Sequence, residues 1–518
     1  MSQRLHCLMD NANLFSALRA AFPADLDDTA IECADGAALS YSWNDLERGT
    51  AMLANLLVSL DLPAGSRIAA QTEKSVEALM LYLAVLRAGY VYLPLNSAYQ
   101  AAEVEYFIGN AEPAVVVCAG KNFGWMSKLA FLAEVQNVFT LNDDRSGTLL
   151  DRAACMSDQH EVAVKAADDM AAILYTSGTT GRSKGAMLSH GNLLSNAQTL
   201  HRLWGWQADD VLIHALPIFH VHGLFVASHG ALLAGAKMIW FAKFEPRAVI
   251  NRFADATIFM GVPTLYGRML AEGGLTPAAC QRMRLFISGS APLLIETFRD
   301  WQQRSSKTIL ERYGMSETIM LTSNPYRALE GDRIGGTVGI ALPGVGVRVR
   351  DDQGQSCGTG DIGHIEVQGP NVFHGYWRMP EKTREEFTAD GWFKTGDVGR
   401  CDANGYFTIV GRSKDLIISG GYNVYPAEIE GYINEMDGVA ESAVVGIAHA
   451  DFGEAVVAIV IPKPGTALDG PAIAATLKRQ IAHFKVPKQV FIVAELPRNT
   501  MGKVQKNLLR EQYKGLFA

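Results

Sequence analysis

Between Tyr175 and Asn192 the chain reads YTSGTTGRSKGAMLSHGN, a run that crowds hydroxyls, glycines and one lysine together. Thr176, Ser177, Thr179, Thr180 and Ser183 can each donate a hydroxyl hydrogen bond. Gly178, Gly181 and Gly185 let backbone N–H groups approach an anion, and Lys184 adds a positive charge. That composition suits phosphate. The apolar run Ala171 to Leu174 reads as a strand feeding the loop, and Ala186 to Leu200 as a helix leaving it. No Gly-Lys-Ser/Thr closes the segment, so the kinase and GTPase readings lose their main support. The competing reading is an ordinary Ser/Thr/Gly turn; eight consecutive loop formers between two regular elements weigh against it.

Further polar clusters follow: Glu311-Arg312-Tyr313-Gly314-Met315-Ser316-Glu317, Gly391-Trp392-Phe393-Lys394-Thr395-Gly396-Asp397, Gly411-Arg412-Ser413-Lys414-Asp415 and Pro497-Arg498-Asn499-Thr500-Met501-Gly502-Lys503. Taken singly, each reads as a turn or a solvated charge. Together, and in this order with the first loop, they resemble the adenylate-forming enzymes, the family of acyl-CoA synthetases, luciferases and peptide-synthetase adenylation domains. The match runs from residue 175 to residue 503, and the joint occurrence is far more specific than any one motif. Ser316 stands where the family more often has threonine, which preserves a hydroxyl.

The resemblance implies ATP, Mg²⁺ and coenzyme A, a carboxylate joined to AMP and then passed to a thiol. It implies that Thr176, Ser177, Gly178, Thr179, Thr180, Gly181 and Lys184 hold the β- and γ-phosphates, and that Ser290, Ala291, Pro292, Arg312, Tyr313 and Gly314 wall the nucleotide, with Tyr313 on the adenine. Thr176 and Glu317 would ligate Mg²⁺, a hard cation that takes oxygen donors. Asp397 would accept from both ribose hydroxyls, a task suited to an acceptor-only carboxylate, with Arg412 also at the ribose. Lys503 would neutralise charge developing on the α-phosphate, and His220 joins Lys503, Glu317 and Thr176 as a catalytic candidate. Lys414 would be the hinge, and Ser419, Gly420 and Gly421 the loop past which CoA threads.

The elements that must position these residues are legible in outline. Helical periodicity is clear at 46–60 and 75–88, and 67–70, 90–93, 114–118 and 138–141 read as short buried strands. Strands alternating with helices imply an α/β fold with parallel sheets. From about Val338 the texture becomes β-rich, at 347–350, 363–367 and 406–410, which suggests a barrel-like or antiparallel subdomain. Beyond it lies a compact α+β pattern of about a hundred residues, a sensible small domain. The expected division is 1–412 for a large adenylation domain and 413–518 for a mobile carboxy-terminal one.

The 518 residues carry a net charge of −8, with 48% hydrophobic and 19% charged residues. That is a globular enzyme's composition and argues against nucleic acid as a partner. The seven cysteines form no CxxC or even framework, which suits a reducing compartment. No secretory leader or spanning segment is read, so the expectation is a cytoplasmic protein, with small-molecule substrates, no membrane attachment and no carrier-protein domain in the chain.

The acid is the finer question. Arg284 is a permanent cation immediately before the apolar run 285–287. Buried and unpaired it would be costly, so it reaches solvent, pairs with a protein carboxylate, or awaits an anionic substrate. The segments MRLFISGSAPL, LPIFHVHGLF, FMGVPT, LTSNPY and PRNTMGKVQK resemble those of malonyl-CoA synthetases, in which a cationic pocket holds the distal carboxylate of malonate or methylmalonate. On that resemblance Arg284 takes the distal carboxylate, with His222, Met260 and Ser288 lining the pocket. His220-x-His222 lacks a third metal ligand. A short-chain monocarboxylate CoA ligase and a non-catalytic nucleotide-binding regulator are the alternatives.

Overall fold

The computed structural model describes residues 11–34, 39–176, 183–499 and 502–517. Two large sheets, a smaller antiparallel sheet and a fifth-strand-extended carboxy-terminal sheet organise these residues. The first large sheet runs, from one edge, through Asn137–Thr140, Val115–Cys118, Arg67–Gln71, Val91–Pro94, Met170–Thr176 and Lys184–Ser189. The second contains a parallel block, Ile309–Tyr313, Leu285–Ser288, Ile258–Gly261, Val211–His214, Lys237–Trp240 and Thr29–Cys33, with antiparallel strands at both edges. The central strands Ile258–Gly261 and Leu285–Ser288 are buried at every residue and nearly all apolar, as strands covered on both faces require. The helix Val76–Arg87, every residue of it buried, lies in the largest core, which draws side chains from both large sheets.

Helix starts are well marked. Ser75 caps Val76–Arg87 by accepting from Ala78 N, and Pro426 opens Pro426–Asn434 at its first position, where no N–H is needed. One expectation fails. Residues 186–189 are not helical: Lys184–Ser189 is a strand antiparallel to Met170–Thr176, and the helix begins only at His190. Ser189 and Asn192 form the capping box that sets this start. The flanks of the phosphate-suited loop are therefore the two strands of a hairpin rather than a strand and a helix. The sheets are also mixed at their edges rather than purely parallel.

The β-rich region is a four-stranded antiparallel sheet, Gly346–Arg350, Gly363–Gln368, Phe393–Cys401 and Phe407–Arg412. A single-turn 3₁₀ segment, Ser413–Asp415, leads from it to the last sheet, Tyr422–Val424, Ile417–Ser419, Gly453–Pro462 and Val439–His449, with Gln489–Ile492 parallel to Gly453–Pro462. Two apolar clusters built only from residues beyond 416 hold that last unit together. No described helix is long and apolar enough to cross a membrane.

Candidate active site

Thr176, His214, Gly261, Ser288 and Tyr313 are each the last residue of a strand, so the motif residues gather where parallel strands end, the usual place for a ligand crevice in open α/β sheets. Ser177, Gly178, Thr179, Thr180 and Gly181 lie outside the described residues. Their flanks are described. Thr176 faces Lys184 across the hairpin, and its hydroxyl lies 3.4 Å from the Lys184 carbonyl. The Lys184 ammonium is 3.3 Å from Glu386 and 4.2 Å from the centre of the Tyr376 ring.

Tyr376 ties this corner to Glu317, donating a 3.0 Å hydrogen bond to the buried carboxylate. Burial raises the Glu317 carboxyl above its ordinary value; Tyr376, Lys184 and Arg412 pull the other way. A buried carboxylate that resists ionisation alone is ready for a cation. With the Thr176 hydroxyl it offers the hard oxygens that Mg²⁺ takes when phosphates and water supply its remaining ligands. Among the described residues no group of three His, Cys, Asp or Glu side chains could hold a metal unaided.

Asp397 is buried on Phe393–Cys401, opposite Arg412 on the neighbouring strand. Arg412 Nε donates to Asp397 Oδ1 at 2.9 Å, and the Tyr313 hydroxyl donates to Oδ2. The Asp397 charge raises the Arg412 guanidinium above its ordinary value. Burial, then the Asp397 charge, push the Tyr313 phenol well above its own, so it remains a donor. Gly314 can only be glycine: a Cβ there would stand 1.9 Å from the Ile319 carbonyl oxygen.

Lys503 enters this cluster from the carboxy-terminal unit. Its loop is folded on itself by Gly502 N–H to the Asn499 carbonyl at 2.9 Å and by Arg498 to the Gly502 carbonyl at 2.8 Å. Gly502, at φ +75°, is pressed so closely on Thr264 that a Cβ would meet the threonine Oγ1 at 2.9 Å. The Lys503 side chain is open to the cleft yet surrounded by protein. Its ammonium is lowered to about 8, by loss of water first and then by Arg412 and Arg312, against the pull of Asp397 and Glu317. A second link across the same gap is Lys463 to Glu296 at 2.7 Å.

The structure separates the two candidate arginines. Arg284 stands before Leu285–Ser288, roughly 13 Å of strand away from the Ser288 end. Its guanidinium is committed there: Nε donates to Asp210 Oδ1 at 2.7 Å, Nη2 to Oδ2, and Nη1 to the Trp204 carbonyl at 3.1 Å, with the Tyr326 ring alongside. The assignment of Arg284 to a substrate carboxylate is thereby corrected; it is a structural ion pair.

Arg312 is the cation at the crevice. It is 3% exposed, its Nε and Nη2 have no hydrogen-bond partner, and no ion pair among the described residues includes it. Gly289 makes room for it, since a Cβ at 289 would lie 2.5 Å from the guanidinium carbon. Burial lowers the Arg312 guanidinium to about 9. The motif assigns Arg312 to the nucleotide, but its charge bears on His220, His222 and Lys503.

His222 is fully buried, its Nδ1 is 3.4 Å from Ser290 Oγ, and its Nε2 is buried without a partner. Desolvation, then Arg312, keep it neutral at any ordinary pH. A neutral ring that accepts from Ser290 at Nδ1 carries its proton at Nε2, as a free donor. His220, lowered to about 3 by burial and then by Lys503 and Arg312, is likewise neutral. Ser290 takes φ +73° in the loop through Ala291 and Pro292 that follows the strand.

Register places the remaining candidates. Met260 pairs with Ile287, and Ile287 with Leu310, so these side chains share a face with Arg312. Ser288 pairs with Glu311 and shares the opposite face, which removes it from the Arg312 pocket; both carry a buried oxygen without a partner. Burial raises the Glu311 carboxyl to about 8. Gly420 and Gly421, at φ +60° and +83°, form the two-residue turn between Ile417–Ser419 and Tyr422–Val424. That turn is exposed and bonded to Phe452 rather than to the Lys503 cluster. Tyr376 and Glu386 were not singled out by any motif; they enter only because the fold brings them to Glu317 and Lys184.

The model of the AMP-binding enzyme family matches residues 19–377, and that of the AMP-binding enzyme C-terminal domain matches 428–503. The malonate–CoA ligase of Arabidopsis thaliana is 32% identical, covering 97% of this chain and 89% of its own. ATP-bound MatB from Rhodopseudomonas palustris is 54% identical, with a TM-score of 0.95 over 98% of this chain and all of its own. The apo form of the same protein, at the same identity and coverage, gives 0.84. Identity and coverage are equal in the two comparisons, so this chain superposes more closely on the ATP-bound structure than on the apo one. The chain belongs to the AMP-binding enzyme family.

Proposed function

We propose that the protein ligates malonate, or its α-methyl homologue, to coenzyme A at the expense of ATP, through an enzyme-bound acyl-AMP. The observation that carries the choice of acid is Arg312: a buried guanidinium with two unpartnered nitrogens, whose charge reaches His222, itself buried with an unpartnered Nε2. Burying an unpaired cation is costly, and a second carboxylate on the substrate would supply the missing counter-charge. A monocarboxylate spends its only carboxylate on the reaction and leaves Arg312 unmet.

In the first half-reaction Arg312 and His222 hold the distal carboxylate, leaving the other to attack the α-phosphorus. A P–O bond forms and pyrophosphate leaves. Lys503 neutralises charge on the phosphoryl oxygens, and Asp397, fixed by Arg412 and Tyr313, accepts from the ribose. Glu317 and the Thr176 hydroxyl would hold Mg²⁺ beside the phosphates, where it would add charge neutralisation to the polyphosphate. Rotation at Lys414, with the domain boundary at 412/413, then withdraws Lys503 and brings the Ser419-Gly420-Gly421 turn to the crevice. The CoA thiolate attacks the acyl carbon and AMP leaves. Free small molecules are the partners in this reading; no carrier domain or nucleic acid enters it, and a reducing, cytoplasm-like compartment suits the six cysteines among the described residues, all free thiols.

The test is AMP formation, dependent on ATP and CoA, across malonate, methylmalonate, succinate, acetate, butyrate and benzoate, with wild type and Arg312→Met. Malonate or methylmalonate should lead, and Arg312→Met should lose that lead while retaining ATP binding. A monocarboxylate in first place, or an Arg312→Met enzyme that still prefers malonate, refutes the assignment.

A further inference from the structure

Lys74 belongs to neither the nucleotide cluster nor the Arg312 pocket, yet it ties the two large sheets together just behind that pocket. It sits between the strand Arg67–Gln71 and the helix Val76–Arg87 of the first sheet. Its ammonium reaches the second sheet, donating to the carbonyls of His214 at 2.8 Å and Phe241 at 2.7 Å, 4.4 Å from the Trp240 ring. It also stands 3.0 Å from His214 Nδ1.

An ammonium has protons and no lone pair, so Nδ1 of His214 must be the acceptor and the ring proton must be on Nε2. That N–H faces the Gly223 carbonyl at 3.0 Å and Ser228 Oγ at 3.1 Å, while Ser228 Oγ donates to the same carbonyl at 2.9 Å. Both ring and hydroxyl are fully buried. The carbonyl they hold belongs to a π-helical turn, His222–Ser228, a rare form that often occurs at functional sites. The turn packs so tightly at its start that a Cβ on Gly223 would fall 2.1 Å from the Pro217 carbonyl oxygen. The residue before Gly223 is His222, whose Nε2 has no protein partner.

We propose that Lys74 and His214 are positioning residues: Lys74 fixes the His214 tautomer, His214 and Ser228 clamp the Gly223 carbonyl, and the clamped π-helical turn aims His222 into the carboxylate pocket. The inference rests on the reading that His222 and Arg312 receive the distal carboxylate. It assigns to the relay the affinity for the acid, and leaves ATP binding and the chemical step to other groups.

The test combines steady-state adenylation kinetics with ¹⁵N spectra of histidine-labelled enzyme. Lys74→Met and His214→Leu should each raise KM for malonate about tenfold, the scale of a lost charge-assisted hydrogen bond, with kcat and KM for ATP within about twofold. His214→Gln, whose amide can accept from Lys74 and donate to Gly223, should restore the malonate KM. The wild-type spectrum should show His214 protonated at Nε2 only, a readout that needs no variant to fold. A proton on Nδ1, an unchanged malonate KM in both variants, or a joint fall of kcat with both affinities overturns the proposal. Arg312→Met separates the failures. If it abolishes malonate use while the relay variants do nothing, only the relay is wrong; if it too leaves KM for malonate unchanged, the pocket reading falls and the relay with it.

Discussion

Raising the pH should switch off adenylate formation by discharging Lys503. In the cleft its ammonium is lowered to about 8 from an ordinary value of 10.5, by lost hydration and by the Arg412 and Arg312 charges. An inserted lysine thus holds its proton less tightly than a solvated one. Insertion is opposed below about pH 8, and the opposition fades as pH rises toward 10.5, but the lysine inserted there is neutral and useless to a phosphate. In the free enzyme about nine-tenths of the ammonium is charged at pH 7 and about one-tenth at pH 9, so kcat/KM for ATP should fall about tenfold over that interval. Bound ATP adds negative charge beside the lysine, so the same limb in kcat should lie at higher pH. The assay is pyrophosphate release with malonate and no CoA, from pH 6.5 to 10, as about fifteen points per profile. Lys503→Arg is the control, because a guanidinium there keeps its charge through the range where the ammonium loses it; it will be slower, but the limb near pH 8 should vanish, leaving at most the limb that Arg312, lowered to about 9, would contribute. An Arg variant with the wild-type limb, or a wild type with no limb below pH 10, refutes the reasoning.

Arg284→Leu leaves the Asp210 carboxylate, 3% exposed, without its partner; stability should fall by about 2 kcal/mol, less than the roughly 3–5 kcal/mol of a fully buried pair because Arg284 is itself partly open. Its kcat/KM for malonate should stay within about twofold, and a thermal melt beside a rate measurement checks both. Gly289→Ala puts a methyl group 2.5 Å from the Arg312 guanidinium, the movable end of a long side chain. The fold should survive and KM for malonate should rise about tenfold or more, with KM for ATP little changed. Lys414→Pro should form acyl-AMP normally and lose thioester formation, measured by quenched single-turnover assays with and without CoA; equal loss of both halves counts against a hinge at that residue.

Much of the fold was legible because local and tertiary signals agree. The helix expected at 75–88 is Val76–Arg87, opened by a serine cap. At 184–189 they disagree: Lys-Gly-Ala-Met-Leu-Ser has no strong alternation, and only pairing with Met170–Thr176 makes it a strand. The two arginines teach more. Each adjoins an apolar strand, and residue type cannot tell them apart. Chain direction can: Arg284 precedes its strand, Arg312 is next to last in Ile309–Tyr313, and ligands collect at the carboxyl ends of parallel strands. That signal was available without coordinates. The bond from Arg284 to Asp210, 74 residues away, was not.

The distribution of charge also says how one crevice can serve two half-reactions. Arg412 is spent on Asp397 and Lys184 on Glu386, whereas Arg312 and Lys503 have no carboxylate partner among the described ion pairs. Two uncommitted cations await two anions, the distal carboxylate and the α-phosphate. They differ in what carries them: Arg312 is set in a sheet strand, Lys503 in a loop of the carboxy-terminal unit. When that unit turns, neutralisation of the phosphate goes with it, after pyrophosphate has left, while the acid stays anchored for the thiol. Lys503→Ala should therefore lose adenylation by about a hundredfold or more, yet convert supplied malonyl-AMP and CoA to thioester within about twofold of wild type. Arg312→Met should lose both halves. If Lys503→Ala is equally damaged in thioester formation, or Arg312→Met is damaged only in adenylation, the division of labour between a fixed and a withdrawable cation is wrong.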